Sequence, residues 1–165
     1  MRREDADDFR AYVGVRMDRW RRTAYLLCQD WHGADDIVSI MVGKLYQHWG
    51  RVSAVDNRDA YAQRMLTHVW LDERRRPWVR EQAQDRVPDH AWEQFDGLDE
   101  RDRLARLLAS LGKRQRAVVV LRFYLGHSVE ETAELLGISP GTVKSQSARA
   151  LEAVRSLAAA MGETI

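Results

Sequence analysis

Apolar residues recur every three or four positions along most of this chain, and no run alternates for long enough to make a strand. Phe9, Val13, Met17, Trp20, Ala24 and Leu27 mark one stripe of a long amphipathic helix from about Ala6 to Cys28. Its other face carries Arg16, Arg19, Arg21 and Arg22, for which a solvated surface is explanation enough. Gln29 to Gly33 reads as a turn. A second helix follows from about Ala34 to Trp49, with Ile37, Val38, Met41, Val42 and Leu45 inward and Asp35 and Asp36 in its first turn, where the helix dipole favours carboxylates. Gly50 to Asn57 reads as a loop, and Asn57 as the cap of a third helix that runs to about Arg76 and ends at Pro77. Tyr61, Ala62, Met65, Leu66 and Val69 form its buried stripe. Beside them Arg64, His68, Asp72 and Arg75, spaced four, four and three apart, line one polar edge.

In the second half, Leu104, Leu107, Leu108 and Leu111 indicate a helix from about Asp99. After Gly112 another runs from Lys113 to Tyr124 with Val118, Val119, Leu121 and Phe123, and Gly126 breaks it. Ser128 to Arg155 then reads as two helices joined by a tight turn. Val129, Thr132, Ala133, Leu135 and Leu136 give the first its stripe, and Gly137 stops it. The second starts with Ser139 as cap and Pro140 at the first helical position. Val143, Ala150, Leu151 and Val154 face inward, which leaves Lys144, Ser145, Gln146 and Arg149 outside. That is the pattern of a helix-turn-helix with a recognition helix. An ordinary helical hairpin is the plainer alternative. Against it stand the small residues Ala133 and Gly137 at the crossing, the full stop-and-cap signal, and an outer face of donors without a carboxylate before Glu152.

Composition turns this pattern into a two-domain, all-α expectation: residues 1–76, an acidic linker over 77–98, and a second helical domain over 99–165. At 45% hydrophobic residues there is enough apolar material for a core in each. The net charge of +1 conceals segregation: residues 1–57 balance at zero, 58–80 carry +3, 81–102 carry −6 and 103–165 carry +4. Two basic blocks flank an acidic connector that will not lie on DNA. Neither a signal peptide nor an apolar run of membrane-spanning length is visible, so a soluble, cytoplasmic protein without membrane insertion is expected. The single cysteine, Cys28, excludes an internal disulfide. Cys28 and His32 are two ligands and not a metal site, and Cys28 is read as a small core residue.

The stretch Leu108 to Arg155, with RQRAVVVLR and GTVKS, resembles region 4 of the extracytoplasmic-function (group IV) sigma factors of bacterial RNA polymerase, members of the sigma-70 family. Gly33 to Trp49 resembles their region 2.2, and Asn57 to Arg76 their regions 2.3 and 2.4. The whole is most similar to the actinobacterial SigE-type subgroup. This resemblance implies that the recognition helix meets the promoter −35 element through Thr142, Lys144, Ser145, Gln146 and Arg149. It implies that Arg51, Asn57, Arg64, His68, Asp72 and Arg75 serve the −10 element, with the loop Arg51 to Asp56 taking up an extruded base. Asp35, Asp36, Ser39 and Ile40 then fall on the helix that docks on the beta-prime clamp helices of core polymerase, the beta flap being a second contact. Three departures stand out. Gln146 replaces a frequent Arg and suits adenine better than guanine. His68 replaces the usual Asn, and Ser39 and Ile40 replace Gln and an acid.

Two rival readings are weaker. A regulator of the response-regulator output type shares the helix-turn-helix pattern but needs a receiver with parallel strands, which the helical first half does not supply. A small helical enzyme would need a motif, and neither HExxH, CxxC, a Gly-rich phosphate loop nor a nucleophile motif occurs; the carboxylate pairs Asp35–Asp36 and Asp72–Glu73 diverge on a helix. The expected function is therefore non-catalytic, without cofactor or metal: to bind core polymerase, recognise the −35 and −10 elements and help open the duplex. An anti-sigma factor is a third partner that the resemblance admits. No appended C-terminal domain is expected after residue 165, so regulation falls to expression, proteolysis or a separate partner.

Overall fold

A computed structural model describes residues 1–74, 100–160 and 162. The chain divides into two units, Met1–Asp85 and Arg86–Ile165. Every described element is helical, with no strand among the described residues. The expected linker over 77–98, and the end of the third predicted helix at Arg75 and Arg76, lie outside the described residues.

In the first unit, α1 (Arg3–Cys28), α2 (Trp31–Gln47), α3 (Trp49–Val52) and α4 (Arg58–Arg74) pack around one core, with α1 against both α2 and α4. Ala24, Ile37, Val38, Met41, Leu45, Trp49, Val52, Ala62, Leu66 and Val69 are almost wholly removed from water. Each large apolar side chain so buried contributes about 1.5–3 kcal/mol. Because α1 touches two helices, it buries more than one stripe. Tyr12, Thr23, Tyr25 and Leu26 are buried along with Trp20, Ala24 and Leu27, while Met17, expected inward, stays 39% exposed and Val13 is half-buried. On α4 the same effect buries Thr67, Trp70 and Leu71 beside the predicted stripe, leaving Tyr61 and Met65 half-buried.

The first connection is shorter than the sequence predicts. Gln29 takes a left-handed conformation (φ 58°) and donates to the Tyr25 carbonyl at 2.7 Å, which ends α1. Asp30 at once caps α2, its carboxylate accepting the Gly33 N–H at 3.0 Å. Helix α2 therefore starts at Trp31, three residues early. Trp49 and Arg51, placed by the sequence at a helix end and in a loop, both lie in the single turn of α3. Asn57 caps α4 as expected, accepting the Ala60 N–H at 3.0 Å.

In the second unit, α5 (Glu100–Ala109), α6 (Lys113–Val119), α7 (Val129–Leu136) and α8 (Pro140–Ala160) surround Leu108, Val118, Leu121, Val143, Ala150 and Ala158. Helix α6 runs on into one π turn, Val120–Tyr124, in which the Leu125 N–H reaches the Val120 carbonyl at 2.9 Å. Leu121 is buried as expected and Val120 joins it, whereas in the wider turn Phe123, expected inside, is 51% exposed. Gly126 then breaks the chain direction with φ 75°.

Candidate nucleic-acid interface

Short-range hydrogen bonds set the angle between α7 and α8. The Ser128 hydroxyl accepts the Glu131 N–H at 3.0 Å and caps α7. Gly137, at φ 66°, ends it, and the Ile138 N–H returns to the Ala133 carbonyl at 3.0 Å. Two residues later the Ser139 hydroxyl accepts the Thr142 N–H at 3.1 Å and meets the Thr142 hydroxyl at 2.8 Å. Val118, Ala133 and Val143 form the buried seat, flanked by Val129, Leu136 and Ile138.

This seat turns Lys144, Ser145 and Arg149 outward as exposed side chains, with Gln146 half-buried at the flank. Thr142 is half-buried and tied into the cap. The Ser145 hydroxyl donates to the Thr142 carbonyl at 3.1 Å, whereas no described residue engages the side chains of Lys144, Gln146 or Arg149. Ala148, exposed one turn after Lys144, joins the same face as a small apolar patch among the donors; its place in the i, i+4 series from Lys144 is the signal that marks it. Ser147 does not join them, because it is half-buried and its hydroxyl donates to the Val143 carbonyl at 2.7 Å. Of the predicted inner positions, Val143 and Ala150 are buried, and Leu151 and Val154 are half-buried.

In the first unit, Arg64, His68 and Asp72 are exposed along one edge of α4, with Arg51 exposed on α3; Arg75 lies outside the described residues. Nothing in the sequence singles out Arg58, yet it holds the loop between α3 and α4. Its guanidinium donates to the Ser53 carbonyl at 3.0 Å and to Asp8 at 3.4 Å, and lies 5.5 Å from the Trp49 ring centre. Asp59, the next residue, accepts from the Tyr12 hydroxyl at 2.8 Å and from Arg16 Nε at 2.6 Å. The Arg16 fork holds the Asp59 carboxyl below the ordinary range, against the effect of burial and with help from Tyr12. Burial, seconded by the bond to Asp59, pushes the Tyr12 hydroxyl well above its ordinary value.

Two arginines assigned to a solvated face are thus tertiary partners. Besides Arg16, Arg21 donates to both Asp35 oxygens, at 2.5 and 3.3 Å, and holds that carboxyl low. Only four residues in sequence separate Tyr12 from Arg16, but their common partner is 43 residues beyond Arg16. Helical periodicity carries no information on such a distant pairing. Of the α2 residues, Asp36 and Ser39 are exposed and Ile40 is half-buried. Cys28, expected in the core, is only half-buried, and its thiol donates to the Asp30 carbonyl at 3.2 Å in the α1–α2 turn. Among the described residues no group of three His, Cys, Asp or Glu side chains is placed to hold a metal ion, and no helix is long and apolar enough to cross a membrane.

The sequence model for Sigma-70, region 4 matches residues 101–154, the part of the chain that holds the capped helix pair. Along 152 residues the chain is 35% identical to the RNA polymerase sigma-E factor of Streptomyces coelicolor, covering 90% of this chain and 84% of that protein. The chain belongs to the extracytoplasmic-function sigma factors. Its function is accordingly that of a transcription initiation factor of bacterial RNA polymerase. A shorter match, 47% identical over 53 residues, covers 32% of this sigma factor and 28% of the ECF RNA polymerase sigma factor ShbA of Streptomyces griseus. The fold is shared with the sigma factor RpoE solved in complex with the anti-sigma factor NepR from Bartonella quintana (TM-score 0.61, 23% identity, covering 91% of this chain and 96% of that one). It is shared also with CnrH in complex with the cytosolic domain of CnrY (TM-score 0.54, 22% identity, 92% and 88%).

Proposed function

We propose that this sigma factor reads the −35 element with α8 and the −10 element with α4 and the loop before it, while α2 docks on the beta-prime clamp helices of core polymerase. The observation that carries the reading is the outer face of α8. Lys144, Gln146 and Arg149 offer donors that no described residue engages, on a helix whose start is fixed by the Ser139 cap. Such donors are suited to base edges and phosphates in a major groove, and the exposed methyl of Ala148 between them suits the methyl group of a thymine. In the first unit, Arg51, Asn57, Arg64, His68, Asp72 and Arg75 serve the −10 element, and the loop into α4 takes up an extruded base that stabilises the open duplex.

On this reading residues 1–76 and 99–165 are the two DNA-reading domains and 77–98 the acidic connector. The beta flap is a second contact with core enzyme. The role is non-catalytic and cytoplasmic, with no cofactor. An anti-sigma factor as partner is supported by the two solved relatives, each in a complex of that kind or with a cytosolic domain. Free protein binds duplex promoter weakly, because the −6 charge of residues 81–102 repels DNA.

Run-off transcription with purified core RNA polymerase on a pool of genomic promoter fragments tests the reading. Specific transcripts that depend on the added protein are the expected result. Transcripts that start at the same sites after Lys144, Gln146 and Arg149 are all replaced by Ala would overturn the assignment of α8.

A further inference from the structure

We propose that Arg21 masks Asp35, so that α2 offers core polymerase one free carboxylate, Asp36, and that Arg21 thereby sets the strength of the docking contact. The proposal rests on the reading of α2 as the docking helix.

Arg21 lies on α1, fourteen residues before Asp35, and its Nε and Nη2 reach the two carboxylate oxygens at 2.5 and 3.3 Å. A forked pair of this kind takes one acceptor position on each carboxylate oxygen and neutralises the charge that would draw an incoming cation. The guanidinium also lies 4.6 Å from the centre of the Trp31 ring, which stacks on Tyr25 at 4.1 Å and 15°. Held on one side by the indole, the guanidinium has lost freedom before any partner arrives, so this pair forms at less entropic cost than an ordinary surface pair. Asp36 is exposed like Asp35, but no described residue pairs with it, and it lies about 100° further round the helix. One turn on, Ser39 and Ile40 carry no charge. A basic partner surface that approaches α2 therefore meets a neutral pair at Asp35 and a full negative charge at Asp36.

The test is binding of the full chain to purified core polymerase by fluorescence titration, for Arg21→Gln, Asp35→Asn, the double variant, Asp36→Asn and Arg22→Gln. Circular dichroism verifies folding of each. Arg22 is an exposed neighbour without a described partner, so its variant reports the general effect of removing a positive charge. Masking predicts that Asp35→Asn weakens binding about twofold with Arg21 present and about tenfold in its absence, because the freed carboxylate then touches the partner directly. Arg21→Gln alone should tighten binding about threefold, more than Arg22→Gln does. Equal costs of Asp35→Asn in the two backgrounds would overturn the proposal, since the charges would then act independently. If none of the variants, Asp36→Asn included, moves the affinity, the docking reading fails first and masking with it. Arg21→Lys, which keeps the charge but cannot fork, supplies the comparison should Arg21→Gln not fold.

Discussion

The guanidinium of Arg58 donates to the carbonyl oxygen of Ser53 at 3.0 Å, so the first residue of α4 closes the loop that leads into it. The same group reaches Asp8 on α1 and the face of Trp49, which fixes the loop against the rest of the unit. Arg58→Ala should lower the binding of a single-stranded −10 oligonucleotide by the core-bound protein about tenfold, measured by anisotropy. Its cost in thermal stability should be only about 1 kcal/mol, since the bonds lost are part-exposed.

The Tyr12–Asp59–Arg16 cluster predicts a melting temperature that falls at both ends of the pH scale. Asp59, held low chiefly by Arg16, adds stability that is present above the unfolded carboxyl value of about 3.9 and is lost as pH falls through the folded value. Tyr12, raised chiefly by burial, adds stability that is present below about pH 10 and is lost as pH rises beyond it. Asp59→Asn should flatten the acid limb in thermal melts. Tyr12→Phe should flatten the alkaline limb and cost about 1 kcal/mol at neutral pH. Asp35 contributes to the acid limb in the same sense, more screened by salt because its ion pair is more open to water.

Gln146→Arg should move the base preferred at its −35 position from adenine toward guanine, by about 1–2 kcal/mol in competition binding with the holoenzyme. Lys144→Ala should behave differently, weakening all promoters alike and reducing the salt dependence by about one counterion if the lysine meets a phosphate.

Loss of the α8 cap should loosen the helix pair. Ser139→Ala removes the acceptor for the Thr142 N–H and should cost about 1 kcal/mol in denaturant titration. Gly137→Ala, at φ 66°, should cost about as much, because a Cβ is disfavoured in the left-handed region.

What is legible in the sequence follows the range of the interactions involved. The helix-turn-helix is readable residue by residue, since Ser128, Gly137, Ser139 and Pro140 act within four positions of themselves. So is the Asn57 cap. The roles of Arg16, Arg21 and Arg58 are not, because each depends on a partner on another helix whose approach no local period encodes. Phe123 departs from its expected place for another reason. One π turn moves the phase of a helix without any change in composition, and a stripe continued into it in constant phase misplaces Phe123. Asp30 is within reach of sequence reasoning, as a carboxylate three residues before a glycine N–H at a helix start, but a turn drawn as wide as Gln29 to Gly33 hides it.

The separation of Tyr12 from Asp59 also bears on how the chain acquires its shape during synthesis. Tyr12 precedes Asp59 by 47 residues, which at ribosomal speeds is a wait of roughly two to ten seconds. Over that interval α1 has α2 to lie against but nothing to cover the side that will meet α4, and its tyrosine and arginine have no acceptor from that helix. The nascent first unit thus presents a half-covered amphipathic helix, the kind of surface that chaperones bind, until α4 emerges.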